Sequence, residues 1–192
     1  PAPAQFLEQM VMPFAMENTS KYYPNTEKLV EDLAAGYRKV IRDVYAAGCR
    51  NLQFDDCSWG MLVDPRACLI FDTDEKGLEA IKEQMLTANN LAIEGKPEDL
   101  VITTHVCRGN FHSTYASSGA YDSVAKTLLA RENVTAYYLE FDDARSGGFA
   151  LLYAERALRF NGYPYYIYYM FYFKYSPGTS FNIIFSSPAA SP

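Results

Sequence analysis

The chain has 192 residues, 49% of them hydrophobic, which is enough for one folded domain with a buried core. Its formal net charge of −6 and its pI of about 4.9 argue against a general nucleic-acid binder, because that function needs a basic surface. No stretch approaches the roughly 18 consecutive apolar residues of a membrane span, so we expect no membrane insertion.

The first predicted helix and strand follow an irregular start. Residues 1–24 are interrupted by prolines and are predicted to be irregular. Asn25 is a suitable N-cap for a helix whose apolar side chains recur at helical spacing until Gly48. Residues 51–55 are then predicted to form a strand, and residues 57–72 a loop.

The same succession is repeated in the middle of the chain. A second amphipathic helix is predicted around residues 78–92, and Gly95 and Pro97 end it. Residues 100–104 are the second predicted strand. A loop rich in Gly and Ser is predicted for residues 108–120.

A third helix at residues 121–128 and a third strand at residues 135–141 complete the pattern, with a short helix predicted up to Arg159. Strands that alternate with helices form parallel βαβ units, so the fold class is α/β. The polar residues fall at the carboxyl ends of the strands, where barrels and doubly wound sheets have their active sites. The pattern alone does not choose between those two folds.

The composition changes after residue 160. Residues 163–175 are dense in Tyr and Phe and contain a single charge, Lys174. High β-propensity with little charge is typical of aggregation-prone segments. We therefore divide the chain into a domain at residues 1–160 and an atypical aromatic-rich tail at residues 161–192. The tail is either a buried or edge strand or a segment that was not selected together with the domain.

His105 and Cys107 are the first candidate metal ligands. They end the second predicted strand, and alternate residues of a strand point to the same side. An imidazole and a thiolate side by side suit zinc. The competing interpretation is a buried cysteine beside a structural histidine.

Acidic residues end the other two predicted strands. Glu140 could reach the same ion, because the ends of neighbouring parallel strands lie about 5 Å apart. Asp142 and Asp143 follow it, so spacing alone does not single out Glu140. Asp55 and Asp56 end the first strand, where a pair of acids could hold an amine, act as acid and base, or cap a loop.

Three stretches carry a resemblance to a known family. They are YAAGCRNLQFDDCSWG at residues 45–60, THVCRGNF at residues 104–111 and LEFDDARSGG at residues 139–148. In this order, and separated by helices of suitable length, they resemble the cobalamin-independent methionine synthase family, especially its short members that lack the N-terminal half. The resemblance covers roughly residues 10–150.

The resemblance implies a (β/α)8 barrel of the TIM type and zinc as the cofactor. It also implies that His105, Cys107 and Glu140 are zinc ligands, and that Asp55, next to Asp56, holds the amino group of homocysteine. The implied reaction moves a methyl group from a methylfolate-type donor to the sulfur of homocysteine.

The chain departs from the family pattern at several points. The family has a fourth zinc ligand, a Cys on a later strand, and no Cys follows Cys107. Cys57 also ends a strand and is a possible substitute. Because few strands are predicted, we expect a partial barrel that is incomplete at both ends, with exposed edges that favour a homo-oligomer. The alternative function is a truncated, catalytically inactive fragment with at most weak metal binding.

Cysteine usage and the first residues bear on location. The four cysteines are too few and too scattered for a disulfide scaffold. The starting sequence Pro-Ala-Pro-Ala lacks the basic segment of a secretory signal. We therefore expect a reducing, cytoplasmic environment.

Overall fold

The computed structural model describes residues 1–140, 144–147, 166–175 and 179–186, the last two ranges as backbone only. Its α-helices are α1 (Pro3–Val11), α2 (Pro13–Thr19), α3 (Thr26–Ala46), α4 (Ser58–Leu62), α5 (Ala67–Ile70), α6 (Glu75–Ile93) and α7 (Asp122–Arg131). Its strands are β1 (Asn51–Asp55), β2 (Val101–Val106), β3 (Ala136–Glu140), β4 (Tyr166–Tyr175) and β5 (Thr179–Ser186).

The long helices α3 and α6 start at side-chain caps. The Asn25 side chain accepts a hydrogen bond from the Lys28 backbone N–H at 3.0 Å. Asp74 does the same for the N–H of Gly77 at 2.8 Å. Each bond satisfies one of the backbone donors that a helix start leaves unpaired. Both predicted helices are confirmed, within a few residues at their ends.

The strands form a single sheet in the order β1-β2-β3-β4-β5. The first four strands are parallel, and β5 runs antiparallel to β4. The pairing of β1 with β2 places Asp55 opposite His105, and β3 lies on the other side of β2. The mixed α/β class with parallel strands is therefore confirmed, and the carboxyl ends of β1, β2 and β3 meet at one edge.

Two segments that were predicted to be irregular are helical. Residues 1–24 contain α1 and α2, which start at Pro3 and Pro13. Proline is well tolerated in the first helical turn, where its missing N–H is not needed, so these prolines begin helices and do not interrupt them. The predicted loop at residues 57–72 contains α4 and α5, and α4 buries Trp59 and Leu62.

The aromatic segment supplies strand β4, so a strand is found within residues 163–175, but it lies between β3 and β5 and not at the edge of the sheet. Strand β5 follows it and was not predicted. The predicted helix up to Arg159 lies outside the described residues. The division into a domain and a tail at residue 160, and the homo-oligomer, stay predictions. No helix in the described part of the chain is long and apolar enough to cross a bilayer.

The main core lies between the sheet and the helices α1, α3, α6 and α7. Its apolar side chains come from every one of these elements and are almost completely buried, among them Leu7, Leu29, Met85, Leu100, Ile102, Leu128 and Leu139. Burial of this kind is the dominant stabilising contribution, at roughly 1.5–3 kcal/mol for a large apolar side chain.

A polar network crosses this core and fixes the end of β1. Asn89 of α6 is fully buried, and its Oδ1 accepts a hydrogen bond from the backbone N–H of Ala4 at 2.9 Å. Its Nδ2 donates to Asp56 Oδ2 at 2.9 Å and to Glu132 Oε1 at 3.0 Å. One amide therefore connects α1, α6, the end of β1 and the segment before β3.

The carboxyl groups around this network are held in water-free surroundings. Burial raises the pKa of Asp56 and of Glu132. Burial, together with the negative charge of Asp56, also raises the pKa of Glu8 to about 7, although a 2.7 Å hydrogen bond from Gln5 opposes the shift. Desolvation disfavours the charged form of an acid, so Glu8 keeps its proton to higher pH than an exposed glutamate.

Replacing Asn89 by Ala should destabilise the fold by about 2–4 kcal/mol, because the change leaves Ala4 N–H and buried carboxylate oxygens unpaired. The neighbouring residue on α6 provides a matched control. Asn90 bonds Arg131 O and the N–H of Asn133 at an exposed position, so Asn90→Ala should lose less than about 1 kcal/mol. Urea unfolding measures the free energy of unfolding of both variants. Equal losses in the two variants would show that the buried network stabilises the fold no more than the contacts of Asn90 do.

Glu8→Gln should become more stabilising, relative to the unchanged protein, as the pH rises from about 4.5 to about 7. In this range an unfolded glutamate loses its proton while folded Glu8 keeps it, so the unchanged protein loses stability with rising pH and the Gln variant does not. The expected gain is on the order of 2 kcal/mol at pH 8 and close to zero below pH 4. Unfolding curves across this pH range, with exposed Glu17→Gln as control, measure it.

Candidate metal centre

His105 lies at the centre of the strand ends. Its Nδ1 is 2.8 Å from Asp55 Oδ1, and its Nε2 is 3.3 Å from Glu140 Oε1. The side chain is only 12% exposed. The imidazole on β2 therefore bridges carboxylates that come from the ends of β1 and β3, as the parallel sheet predicts.

Cys107 follows β2 by one residue and lies on the same side as His105. Ligand atoms of Asp55, His105 and Cys107 are all within 4.8 Å of one another. The Cys107 side chain is buried, and its sulfur accepts a hydrogen bond from the N–H of Gly109 at 3.3 Å. The structure thus brings His105 and Cys107 together.

Glu140 is a neighbour of this group through its contact with His105 Nε2. It is buried, and its second oxygen lies 3.4 Å from Arg145 Nη2, in the short 3-10 helix Ala144–Ser146. The Arg145 guanidinium also packs over the ring of Tyr115 at 4.7 Å. Arg145 belongs to the third family-like stretch, but the sequence analysis did not assign it to the site. Its positive charge, five residues after the acidic Glu140, was the signal that could have predicted this contact.

Asp55 and Asp56 are separated by the structure. Asp55 remains 60% exposed at its side chain and contacts His105. Asp56 is fully buried on the other side of the strand, where its carboxylate accepts hydrogen bonds from the Ser58 hydroxyl, the Ser58 N–H and Asn89. Neighbouring strand residues point in opposite directions, so the two acids cannot share one ligand. Of the predicted pair, only Asp55 lies beside the predicted metal ligands.

The charges of the group depend on one another. Burial opposes protonation of His105, but the neighbouring carboxyl groups of Asp55 and Glu140 outweigh it and raise the pKa of His105 to about 9. The same contact with His105 lowers the pKa of Asp55. In the absence of metal, a cationic imidazole therefore lies between two carboxylates.

Cys57 is the residue at this edge that sequence reasoning treated only as a possible substitute. Its thiol interacts with that of Cys107, and this interaction lowers the pKa of Cys107 to about 7 and raises that of Cys57. The backbone N–H of Cys57 donates to Gln5 Oε1 at 2.7 Å, which ties it to α1. The two cysteines are thus direct neighbours.

Close packing of α4 fixes the backbone at Cys107. A Cβ added to Gly60 would lie 2.5 Å from the carbonyl oxygen of Cys107, which is closer than a real Cβ can approach. Only glycine fits between this helix and the end of β2. The first two family-like stretches therefore touch at this point, although they are distant in the sequence.

The donor set has the chemistry of a metal-binding group. Nitrogen and sulfur are ligands that Zn²⁺ takes in proteins, and the separation of at most 4.8 Å between a ring nitrogen of His105 and the sulfur of Cys107 is close to the span of two such bonds of about 2.0–2.3 Å. Glu140 lies outside this 4.8 Å group and offers a carboxylate oxygen on the other side of His105. The buried His105 Nε2 has no well-directed hydrogen bond among the described residues. Its Nδ1 contacts a carboxylate, which is the usual arrangement of a metal-bound histidine.

Fold and site together define a mixed α/β protein with a candidate N/S/O metal centre at the carboxyl ends of parallel strands. No protein-family model matches the chain. It is 42% identical over 130 residues to the uncharacterized protein YxjH of Bacillus subtilis, covering 66% of this chain and 34% of that protein. It is 36% identical over 137 residues to YxjG of the same organism, covering 70% and 36%.

A solved structure is also similar. It is that of a Listeria monocytogenes protein whose assignment as a vitamin-B12-independent methionine synthase is provisional. The identity is 38% with a TM-score of 0.50, over 64% of this chain and 33% of that one. The chain thus spans about a third of the length of the relatives that it matches.

Proposed function

We propose that this chain is part of a cobalamin-independent methionine synthase type of enzyme, in which zinc held by His105, Cys107 and Glu140 serves methyl transfer to a thiol. The observation that carries the proposal is the position of His105 between the other two residues: its ring lies within 4.8 Å of the sulfur of Cys107, and its Nε2 lies 3.3 Å from Glu140 Oε1. The 38% identity to the Listeria monocytogenes protein supports the same reaction class.

The strand order supports a partial (β/α)8 barrel. In a doubly wound sheet, the order of strands reverses at a switch point, and ligands bind there. Here β1, β2, β3 and β4 are neighbours in chain order and all parallel, as successive barrel strands are. The site at their carboxyl ends fits the usual position of a barrel active site.

Each protein group has a separate task in this proposal. The three ligands would hold zinc, which would supply Lewis acidity: coordination would lower the pKa of a bound thiol, so that it would lose its proton to solvent near neutral pH and become a nucleophile. Asp55 accepts a hydrogen bond from the Nδ1–H of His105, which leaves the lone pair of Nε2 to bind metal. Arg145 contacts the second oxygen of Glu140 and orients this carboxylate.

The thiol that we propose is homocysteine, and the donor is of the methylfolate type. Asp55 keeps 60% of its side chain exposed beside the ligands, so its carboxylate can hold the amino group of the amino acid while it orients His105. Asp56 is assigned a positioning role, because its oxygens are bonded inside the core.

A second candidate is that this stretch of chain binds metal weakly and does not catalyse. The proposed site has three protein ligands, and the chain spans about a third of the length of its relatives. A three-ligand site leaves a coordination position open, as catalytic zinc sites do, but it holds the ion less firmly than four ligands would. Metal content and turnover, measured on the same preparation, distinguish the two candidates.

Zinc should bind at about one ion per chain, and His105→Ala or Cys107→Ala should weaken binding at least about 10–100-fold. Competition with a chromophoric chelator measures the affinity. The chain has two histidines, and the second, exposed His112, provides the matched control, since His112→Ala should bind zinc as the unchanged protein does. Equal affinities of the two histidine variants would exclude the site.

Asp55→Asn should weaken homocysteine binding to the zinc-loaded protein by roughly 10–100-fold, since a hydrogen bond between charged groups contributes about 1.5–3 kcal/mol. Zinc affinity should change much less, because Asn keeps an oxygen that can accept the His105 Nδ1 proton. Calorimetric titration with zinc and then with homocysteine separates the two effects. Unchanged homocysteine affinity would contradict the amine-binding role.

A further inference from the structure

Cys57 and Cys107 form a pair of facing thiols at the ends of adjacent strands. The backbone hydrogen bonds of Asp56 continue the pairing of the two strands up to these residues, and all four cysteines of the chain are free. The proposed function uses only Cys107. Metal binding by His105, Cys107 and Glu140 therefore does not explain why a second thiol, that of Cys57, lies beside Cys107.

The backbone holds the two cysteines at a distance that a disulfide can span. The N–H of Asp56 donates to His105 O at 2.8 Å, and the N–H of Cys107 donates to Asp56 O at 3.2 Å. This pattern pairs Asp56 with Val106, and one more residue in the same register brings Cys57 opposite Cys107. Adjacent strands lie about 4.7–4.9 Å apart, which is within the roughly 4.4–6.8 Å between the Cα atoms of a disulfide.

We propose that Cys57 and Cys107 are a redox-sensitive dithiol that closes to an intramolecular disulfide when a small peroxide reaches the site. One thiolate attacks the peroxide oxygen, the O–O bond breaks, and a sulfenic acid and water are formed. The second thiol then attacks the sulfenic sulfur, the S–S bond forms, and a second water leaves. Two thiols and one H2O2 give one disulfide and two waters, and an added dithiol reverses the change.

The position of the pair favours this outcome over further oxidation. Cys57 is half-buried and admits a small oxidant, whereas Cys107 is buried beside it. A sulfenic acid at either position therefore meets the other thiol before it meets a second peroxide. Cys49 lacks this arrangement, since its sulfur bonds the carbonyl of Asn51 at 3.3 Å.

The disulfide would also switch the metal centre, a consequence that rests on the proposed function. Sulfur in a disulfide is a poor metal ligand, because zinc binds the thiolate. Oxidation would remove Cys107 from the ligand set and leave His105 and Glu140, which are too few to hold zinc. Bound zinc would in turn protect Cys107 from the peroxide.

Hydrogen peroxide treatment of the metal-free protein, followed by thiol counting and peptide mass analysis, tests the pair. We expect two thiols to be lost per chain, with a Cys57–Cys107 cross-linked peptide that disappears on reduction. Cys57→Ser and Cys107→Ser should each abolish this peptide. The matched control Cys68→Ser, which removes another partly buried cysteine, should leave it intact.

Three results would overturn the dithiol. They are sulfinic or sulfonic acid at Cys107 without the cross-link, disulfide-linked dimers on a non-reducing gel, and a loss of two thiols per chain to an intramolecular disulfide in the Cys57→Ser variant as well. As a control, circular dichroism of each variant should show the same secondary structure as the unchanged protein. A separate arm adds zinc before peroxide. Slower cross-linking supports Cys107 as a ligand, whereas an unchanged rate refutes that part of the proposed function and leaves the dithiol standing.

Discussion

Parallel pairing of β1 with β2 places Asp55 opposite His105, and the contacts of the candidate metal centre follow from that register. A shift by one residue would turn Asp55 into the core and expose Asp56 in its place, because side chains alternate along a strand. The hydrogen bonds of Asp56 with Asn89 and Ser58 oppose such a shift. The edge of the sheet with the candidate metal centre is thus held in position by polar contacts inside the core.

The two adjacent acids illustrate how burial assigns different tasks to identical side chains. Asp55 is mostly exposed, and its contact with His105 favours the charged form. Asp56 is fully buried, and its surroundings disfavour the charged form. A carboxylate that is to hold a substrate amine must remain accessible and ionised, so Asp55 is suited to that task and Asp56 to positioning.

Local signals were sufficient to predict α3, α6 and β1. The capping residues Asn25 and Asp74 start α3 and α6, and the strand at residues 51–55 is found with the predicted bounds. Such features depend on neighbours in the chain, which a sequence contains. The prediction that residues 1–24 are irregular is wrong, because it treats every proline as the end of a helix. At Pro3 and Pro13 the proline instead occupies the start of a helix. What α1 packs against decided this, and packing partners are distant in sequence.

By itself, the sequence determined that β1, β2 and β3 are parallel and that His105 and Cys107 lie on one side at the end of β2, since both follow from the alternation of elements and of strand residues. Only the tertiary structure decided that Asp55 contacts His105, that Asp56 is in the core and that Cys57 faces Cys107. These contacts join residues that are 33 to 50 positions apart in the sequence. Their geometry depends on strand register and helix packing, which no local pattern encodes.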